Sequence, residues 1–243
     1  MGAMASAAEP GWLRDGLRDV LAGSRCLGCE RPGRLLCPSC GATLRSPARR
    51  VEPQPCPPGL ARCWAAWDYS GLAKDVINGH KEHSYFGLRT PLARTLADVV
   101  VAASAPAVDP VVLVPIPSAR ATTRARGYAP LQVVVRMAAS RLRAQGHEVR
   151  TQTLLRPWCP ARDQVGLNAS QRYANLRDSL VCDSAAVRRL GRRQSRAWVV
   201  LCDDVITTGA TAYEAQRALV AAGLRPASIA AIAATQRTWQ PRA

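Results

Sequence analysis

Between residues 197 and 211 the chain reads AWVVLCDDVITTGAT. The unbroken apolar run Ala197–Cys202 suits a strand buried on both faces of a parallel sheet. Two carboxylates, Asp203 and Asp204, follow at once, and then the small and hydroxyl residues Thr207, Thr208, Gly209, Ala210 and Thr211. A helix that opens inside such a loop aims its free N–H groups and the positive end of its dipole at the turn, which favours an anion. The threonine hydroxyls add donors, and the carboxylate pair can accept hydrogen bonds from a sugar diol. Sugar hydroxyls and a phosphate on one ligand describe a ribose 5-phosphate. The plainer alternative is an ordinary strand–turn–helix whose aspartates cap the helix. The complete string, set between the right elements, outweighs it.

Elsewhere the hydrophobic pattern alternates strands with helices. Val111–Val114 and Ser228–Ala234 read as further strands, as does Arg62–Tyr69 with Trp64, Trp67 and Tyr69. Ser70 is placed to cap a helix carrying Leu72, Ala73, Val76 and Ile77 on one face. Helices are also predicted over Thr90–Ala103, over Pro130–Gln145 with proline at its start, and over Ala210–Ala222 with Gly223 as its stop. Trp12, Leu13, Leu17, Val20 and Leu21 suggest a short amphipathic helix before Gly23, and Asn168–Gln171 resembles a capping-box start. The expectation is an α/β fold with a mainly parallel sheet and its ligand site at the carboxyl ends of the strands.

Four cysteines form two C-x₂-C pairs, Cys26 with Cys29 and Cys37 with Cys40. The N-terminal MGAMASAAEP lacks the basic and apolar regions of a secretory signal, so the cluster reads as metal binding before disulfides, and the protein as cytoplasmic. Four thiolates suit tetrahedral Zn²⁺ in a closed, structural site with a knuckle-like loop, and Gly28 and Gly41 fit its tight turns. Cys56 and Cys63 are spare cysteines near enough in sequence to substitute as ligands. Residues 46–60 hold five prolines and read as an extended linker. The expected organisation is an N-terminal segment over 1–23, a zinc module over 24–45, a linker over 46–61 and an α/β domain over 62–243.

The formal net charge is +16, which invites a polyanionic partner. Lys74 and Lys81 are the only lysines, so the excess is almost all arginine, as a GC-rich coding sequence would also give. The densest basic run is Arg188, Arg189, Arg192, Arg193 and Arg196, which suits single-stranded DNA through its phosphates, or a solvated hairpin or loop. No apolar run approaches the roughly 20 residues that span a bilayer, so membrane insertion is not expected.

At residues 203–211 the chain resembles a type I phosphoribosyltransferase. Tyr69-Ser-Gly71, Lys81, Val114-Pro-Ile-Pro117, Arg126-Gly-Tyr128, Gln164-Val-Gly-Leu167 and Arg172-Tyr-Ala-Asn175 fall in the order seen in the ComF/ComFC family. That family joins a four-cysteine zinc module to a phosphoribosyltransferase-like domain and is associated with DNA uptake. The resemblance implies that Asp203 and Asp204 hold the ribose hydroxyls of phosphoribosyl diphosphate and act in catalysis. It implies that Thr207, Thr208, Gly209, Ala210 and Thr211 hold the 5-phosphate. Pro117, Ser118, Arg120, Arg126 and Lys81 would face the pyrophosphate, with Mg²⁺ accompanying it. An arginine fork suits a diphosphate, but a solvated basic loop or a surface lysine is an equal alternative for these cations.

Two departures stand out. Ala129-Pro130 follows the Arg-Gly-Tyr triplet where the family usually has asparagine. Thr207 stands where enzymes that salvage 6-oxopurines usually carry aspartate, which argues against hypoxanthine or guanine as acceptor. Two functions follow from the sequence: a Mg²⁺-dependent phosphoribosyltransferase with an unidentified acceptor, or a DNA-binding competence protein that uses the same loop as a ligand sensor. Neither oligomeric state nor acceptor is legible.

Overall fold

The apolar runs pair into one six-stranded sheet, and alternate residues along each run enter different cores. The computed structural model describes residues 23–105, 110–118, 128–158, 178–193 and 197–235, with backbone alone over 191–193. The expected helix near Trp12 and the capping box at Asn168 lie outside these residues.

The elements, in chain order, are α1 (Pro38–Thr43), β1 (Arg49–Val51), β2 (Arg62–Asp68), α2 (Gly71–Glu82), α3 (Arg89–Ala103), β3 (Val111–Pro115), α4 (Pro130–Ala144), β4 (Val149–Thr151), β5 (Leu155–Pro157), β6 (Leu180–Cys182), α5 (Ser184–Arg193), β7 (Trp198–Ile206), α6 (Ala210–Ala221) and β8 (Ser228–Ala234). The main sheet has the order β1-β2-β8-β7-β3-β4, and β5 pairs with β6 in a small second sheet. Only β1 runs antiparallel in the main sheet, against β2; the other four pairings are parallel. The mainly parallel α/β sheet read from the sequence is therefore present.

The central strands are buried on both faces because helices cover both. Val200, Cys202, Ala230 and Ile232 join a core with Leu92, Leu96 and Val100 of α3 and Val134, Ala138 and Leu142 of α4. Their strand neighbours Val199, Leu201, Ile229 and Ala231 point the other way, into a core with Ala212, Ala215, Ala218 and Leu219 of α6. The period of two along a strand produces this division. The alanines of α6 and β8 let helix and sheet approach closely.

This winding fixes where a ligand can sit. From β3 the chain crosses by α4 to β4 at one edge. From β7 it crosses by α6 to β8 on the other side. The crossings diverge between β3 and β7, and at such a switch point open α/β sheets hold ligands in the crevice outside the strands' carboxyl ends. Pro115 and Ile206 end the two strands at that crevice.

Two predicted features come out differently. The basic run is not a hairpin or loop: Arg188, Arg189, Arg192 and Arg193 lie on α5. The Asp183 carboxylate accepts a hydrogen bond from the Ala186 amide at 3.0 Å, an N-cap that starts the helix, and Leu190 is buried in the α6-side core. The amide of Ala186 also holds the Asp183 carboxyl below its usual range. The proline-rich stretch, for its part, supplies edge strand β1 and is tied to α6. Gln216 donates to the Gly59 carbonyl at 2.7 Å and accepts from the Ala61 amide at 2.8 Å.

A buried acid fastens the small sheet to α6. Glu214 is 3% exposed. It accepts from the Leu180 amide at 3.0 Å and from Arg217 at 2.7 and 2.8 Å, while Arg217 also donates to the Leu180 carbonyl at 3.0 Å. Glu214→Ala would leave a buried amide and a guanidinium without this carboxylate. A loss of about 2 kcal/mol is expected in urea denaturation.

Candidate functional site

The acidic pair belongs to the strand and not to the loop that follows it. β7 continues past Cys202 because β8 continues beside it: Asp203 pairs with Ala231, Val205 with Ala233 and Ile206 with Ala234. The Asp204 amide donates to the Asp203 carboxylate at 2.8 Å. Burial raises the Asp203 carboxyl, the neighbouring Asp204 raises it further, and together they carry it to about 8 despite Lys81.

Lys81, in the last turn of α2, ion-pairs with Asp204 at 2.7 Å. Burial opposes its charge, but Asp204 wins and holds the ammonium above its ordinary value. Lys81 therefore stands in the crevice against the acidic pair, half-buried, and not as a free surface lysine. Tyr128 secures this end of α2 by donating to the His80 carbonyl at 3.1 Å. Tyr69, at the end of β2, donates to the Asn78 side chain in the same helix at 2.9 Å. Two tyrosines of the sequence motifs thus position α2, a role that motif order alone did not reveal.

The loop after β7 spans Thr207–Gly209 and opens α6 at Ala210. Gly209 is the N-cap, with φ +70°, and no side chain caps the helix. The first amides of α6 are thus not occupied by a capping side chain, and the helix runs 12 residues behind them. Thr208 is buried and Thr207 exposed. Glycine is required at 209 on two counts. A β-carbon would be strained at this φ, and it would lie 2.9 Å from Pro53 Cγ and 3.0 Å from Leu60 Cδ2. The proline-rich stretch is therefore the outer wall of the loop. Gly209→Ala should lower stability by about 2 kcal/mol and open the loop, measurable as a lower Tm and weaker phosphate-ligand binding.

Opposite the loop, Pro117 and Ser118 follow β3 at the crevice and are half-buried. The Ile116 amide donates to the Cys202 carbonyl at 2.9 Å, which holds this turn against β7 just before the acidic pair. Arg120 and Arg126 lie outside the described residues.

Cys26, Cys29, Cys37 and Cys40 converge, with all four sulfurs within 4.8 Å of one another. Cys29 and Cys37 sulfurs lie 3.7 Å apart. A Zn–S bond of about 2.3 Å in tetrahedral geometry implies about 3.8 Å between ligand sulfurs, so the cluster fits the ion. Backbone amides already point at sulfur, Cys37 N to Cys26 Sγ at 3.4 Å and Cys40 N to Cys37 Sγ at 3.5 Å. Burial works against ionising Cys26, but the amides of Cys37, Gly28 and Cys29 outweigh it and lower its thiol to about 6. Hydrogen bonds with the Cys37 and Cys29 sulfurs push Cys40 up to about 12. A divalent cation relieves that mutual repulsion among thiolates.

Cys56 and Cys63 stand outside the cluster; Cys63 is buried in β2, where burial pushes its thiol up to about 12. Gly28 is needed for space, since a β-carbon there would lie 2.9 Å from Cys40 Sγ and 3.0 Å from Leu72 of α2. Gly41 is not in a turn but inside α1, a helix started by proline and capped by Cys37. The module leans on α2, the same helix that presents Lys81.

Among the described residues no helix is long and apolar enough to cross a membrane. No family model matches the chain, and no curated protein matches it. Among solved structures, it is similar to a hypoxanthine phosphoribosyltransferase of Trypanosoma cruzi at 14% identity and a TM-score of 0.32, covering 63% of this chain and 69% of that one. Asparagine and alanine mutants at an invariant aspartic acid of HPRTs give the same identity, TM-score and coverage of this chain, with 70% and 72% of their own chains covered.

Proposed function

We propose that the chain is a phosphoribosyltransferase-like protein of the ComF kind that binds phosphoribosyl diphosphate with Mg²⁺. The observation that carries this reading is the acidic pair Asp203–Asp204 at the end of β7, directly before an uncapped helix start, at the sheet's switch point. A ribose 5-phosphate requires acceptors for its hydroxyls and donors for its phosphate, one strand end apart. Asp203 and Asp204 accept from the 2- and 3-hydroxyls. Thr207, Thr208, Gly209, Ala210 and Thr211 surround the 5-phosphate with amides and hydroxyls.

Catalysis in such a site is displacement at C1 of the ribose. The bond from C1 to the diphosphate oxygen breaks, pyrophosphate leaves with the bonding pair, and the acceptor donates its own pair to C1. The transition state carries oxocarbenium character. Asp203 and Asp204, with hard carboxylate oxygens, would hold Mg²⁺, which when bound would supply charge neutralisation on the leaving diphosphate. The protein's part is to hold the ribose between the loop and the acidic pair while the diphosphate lies toward Pro117 and Ser118. Lys81 is the cation that pairs with Asp204 among the described residues. Its ammonium, paired with Asp204 at 2.7 Å, would stand between the acidic pair and the diphosphate and supply positive charge there. Arg120 and Arg126, which follow Ser118 closely in sequence, are proposed to complete the anion site.

The Zn²⁺ module is structural in this reading: four ligands leave no open position. Thermal unfolding tests the reading. Phosphoribosyl diphosphate with Mg²⁺ should raise the Tm, by about 2.7 kcal/mol of stabilisation at a hundredfold excess over Kd, whereas ribose 5-phosphate should raise it less. No shift with a folded, zinc-loaded protein would refute it.

A second reading is favoured by the exposed Arg188 and Arg189 on α5 and the net charge of +16. Here the protein binds single-stranded DNA and senses the ligand. Its signature is an oligonucleotide affinity that falls steeply with salt and weakens in an Arg188→Gln/Arg189→Gln variant. Acceptor-dependent pyrophosphate release marks the first reading instead.

A further inference from the structure

A second cavity lies away from the crevice, between the cysteine module and α3. Its volume is about 770 Å³, and none of Lys81, Asp203, Asp204 or Thr207–Thr211 lines it. Four guanidinium groups do, those of Arg34, Arg45, Arg94 and Arg141, against the single carboxylate of Asp98. Leu36, Leu44 and Pro91 give one apolar wall. The lining also includes Trp67, on β2, which is 4% exposed.

Two buried donors in this lining have no hydrogen-bond partner among the described residues: the indole Nε1 of Trp67 and Nε of Arg141. Leaving a buried N–H unmet is unfavourable, so native proteins rarely do it without a ligand or water to accept. Arg141 projects from the last turn of α4, and Arg94 from the first half of α3. The cation cluster is thus assembled from three separate parts of the chain, the cysteine module, α3 and α4. An arginine-rich coding bias would scatter guanidinium groups over the surface. It would not gather four of them around a cavity whose lining includes an unpartnered indole.

We infer that this cavity is a second ligand site, for a phosphorylated small molecule of nucleotide size. The volume falls within the range of small-molecule pockets, about 300–1,000 Å³. Arg45 and Arg94, both exposed at the rim, would fork to the phosphate groups, as arginine does to phosphoryl oxygens. The apolar wall takes the uncharged body of the ligand, and the Trp67 N–H and Arg141 Nε donate to acceptors at the bottom. The site is independent of the phosphoribosyl reading, because it shares no residue with the crevice.

Calorimetry on the full, zinc-loaded chain tests this with ADP, adenosine and a single-stranded oligonucleotide as probes. ADP should bind with one-to-one stoichiometry and adenosine at least about tenfold more weakly. Arg45→Gln/Arg94→Gln should weaken ADP by about tenfold or more, and Trp67→Phe, which keeps the packing and removes the donor, should weaken it severalfold. The arginine pair should leave the Tm increase given by Mg²⁺ and phosphoribosyl diphosphate unchanged. ADP binding indifferent to all of these substitutions would overturn the inference, as would no ADP binding at millimolar concentration. So would an oligonucleotide that depends on Arg45 and Arg94 while ADP does not bind, since the cavity would then be a nucleic-acid surface.

Discussion

Cys37→Ser is expected to lose the metal and to destabilise the protein by at least about 3 kcal/mol. Cys37 is 6% exposed and serves three purposes. It is one of the four converging sulfurs, it caps α1 by accepting from the Cys40 amide, and its own amide donates to Cys26 Sγ. Serine can still cap the helix, so the expected loss isolates the thiolate. The loss should also reach beyond the module. Leu27 lies against α2 at Gly79, and Gly28 against Leu72. α2 presents Lys81 to Asp204. Freed of the metal, the module no longer buttresses that helix, and affinity for the diphosphate ligand should fall with it. Zinc content by elemental mass spectrometry, read with the Tm, checks the first part. One zinc per wild-type chain and none in the variant is the expected result.

Asp203→Asn should have the opposite effect on stability. In the folded protein burial and the adjacent Asp204 raise the Asp203 carboxyl to about 8, from 3.8. Below the lower of these values the carboxyl is protonated in folded and unfolded chains alike and contributes no pH dependence. Between them the folded chain holds a proton that the unfolded chain has released, so stability falls as pH rises through this window. Asparagine carries no charge and can still accept from the Asp204 amide. The variant should therefore be flat across the window and more stable than wild type at pH 8, by on the order of 3 kcal/mol. It should bind phosphoribosyl diphosphate far more weakly, because in the proposed site the ionised carboxylate accepts from the ribose hydroxyls. Wild-type affinity should tighten toward pH 8 for the same reason. Urea denaturation and calorimetry at pH 5 and pH 8 check both halves. A site that gives up stability for its ligand is a recurring cost of function.

Much of this arrangement was legible in residue order. The runs at 111–114, 197–202 and 228–234 are apolar at every position or nearly so, and only a two-sided parallel sheet needs that. The cysteine pairs announced their cluster by spacing. The short strands β1, β4, β5 and β6 were not legible. Each has three residues, too few to establish a period of two, and their places are set by long-range partners. α5 was obscured by its arginines, although Asp183 before Ser184-Ala-Ala is a helix start that could have been seen. The apolar run stops at Cys202, so the sequence does not show that β7 carries on through the acidic pair; β8 extends the pairing as far as Ile206. The contact of Pro53 and Leu60 with Gly209 joins positions some 150 residues apart, and no local pattern encodes it. The unpartnered indole of Trp67 belongs to the same class.

Calorimetric titration of phosphoribosyl diphosphate into the zinc-loaded protein, with and without Mg²⁺, tests the central claim most directly when wild type is compared with Asp203→Asn/Asp204→Asn. Mg²⁺-dependent, one-to-one binding that the double substitution abolishes while the variant stays folded and zinc-loaded is the expected result. Wild type that is folded and zinc-loaded yet releases no heat and shows no Tm shift with this ligand would contradict the assignment of the crevice.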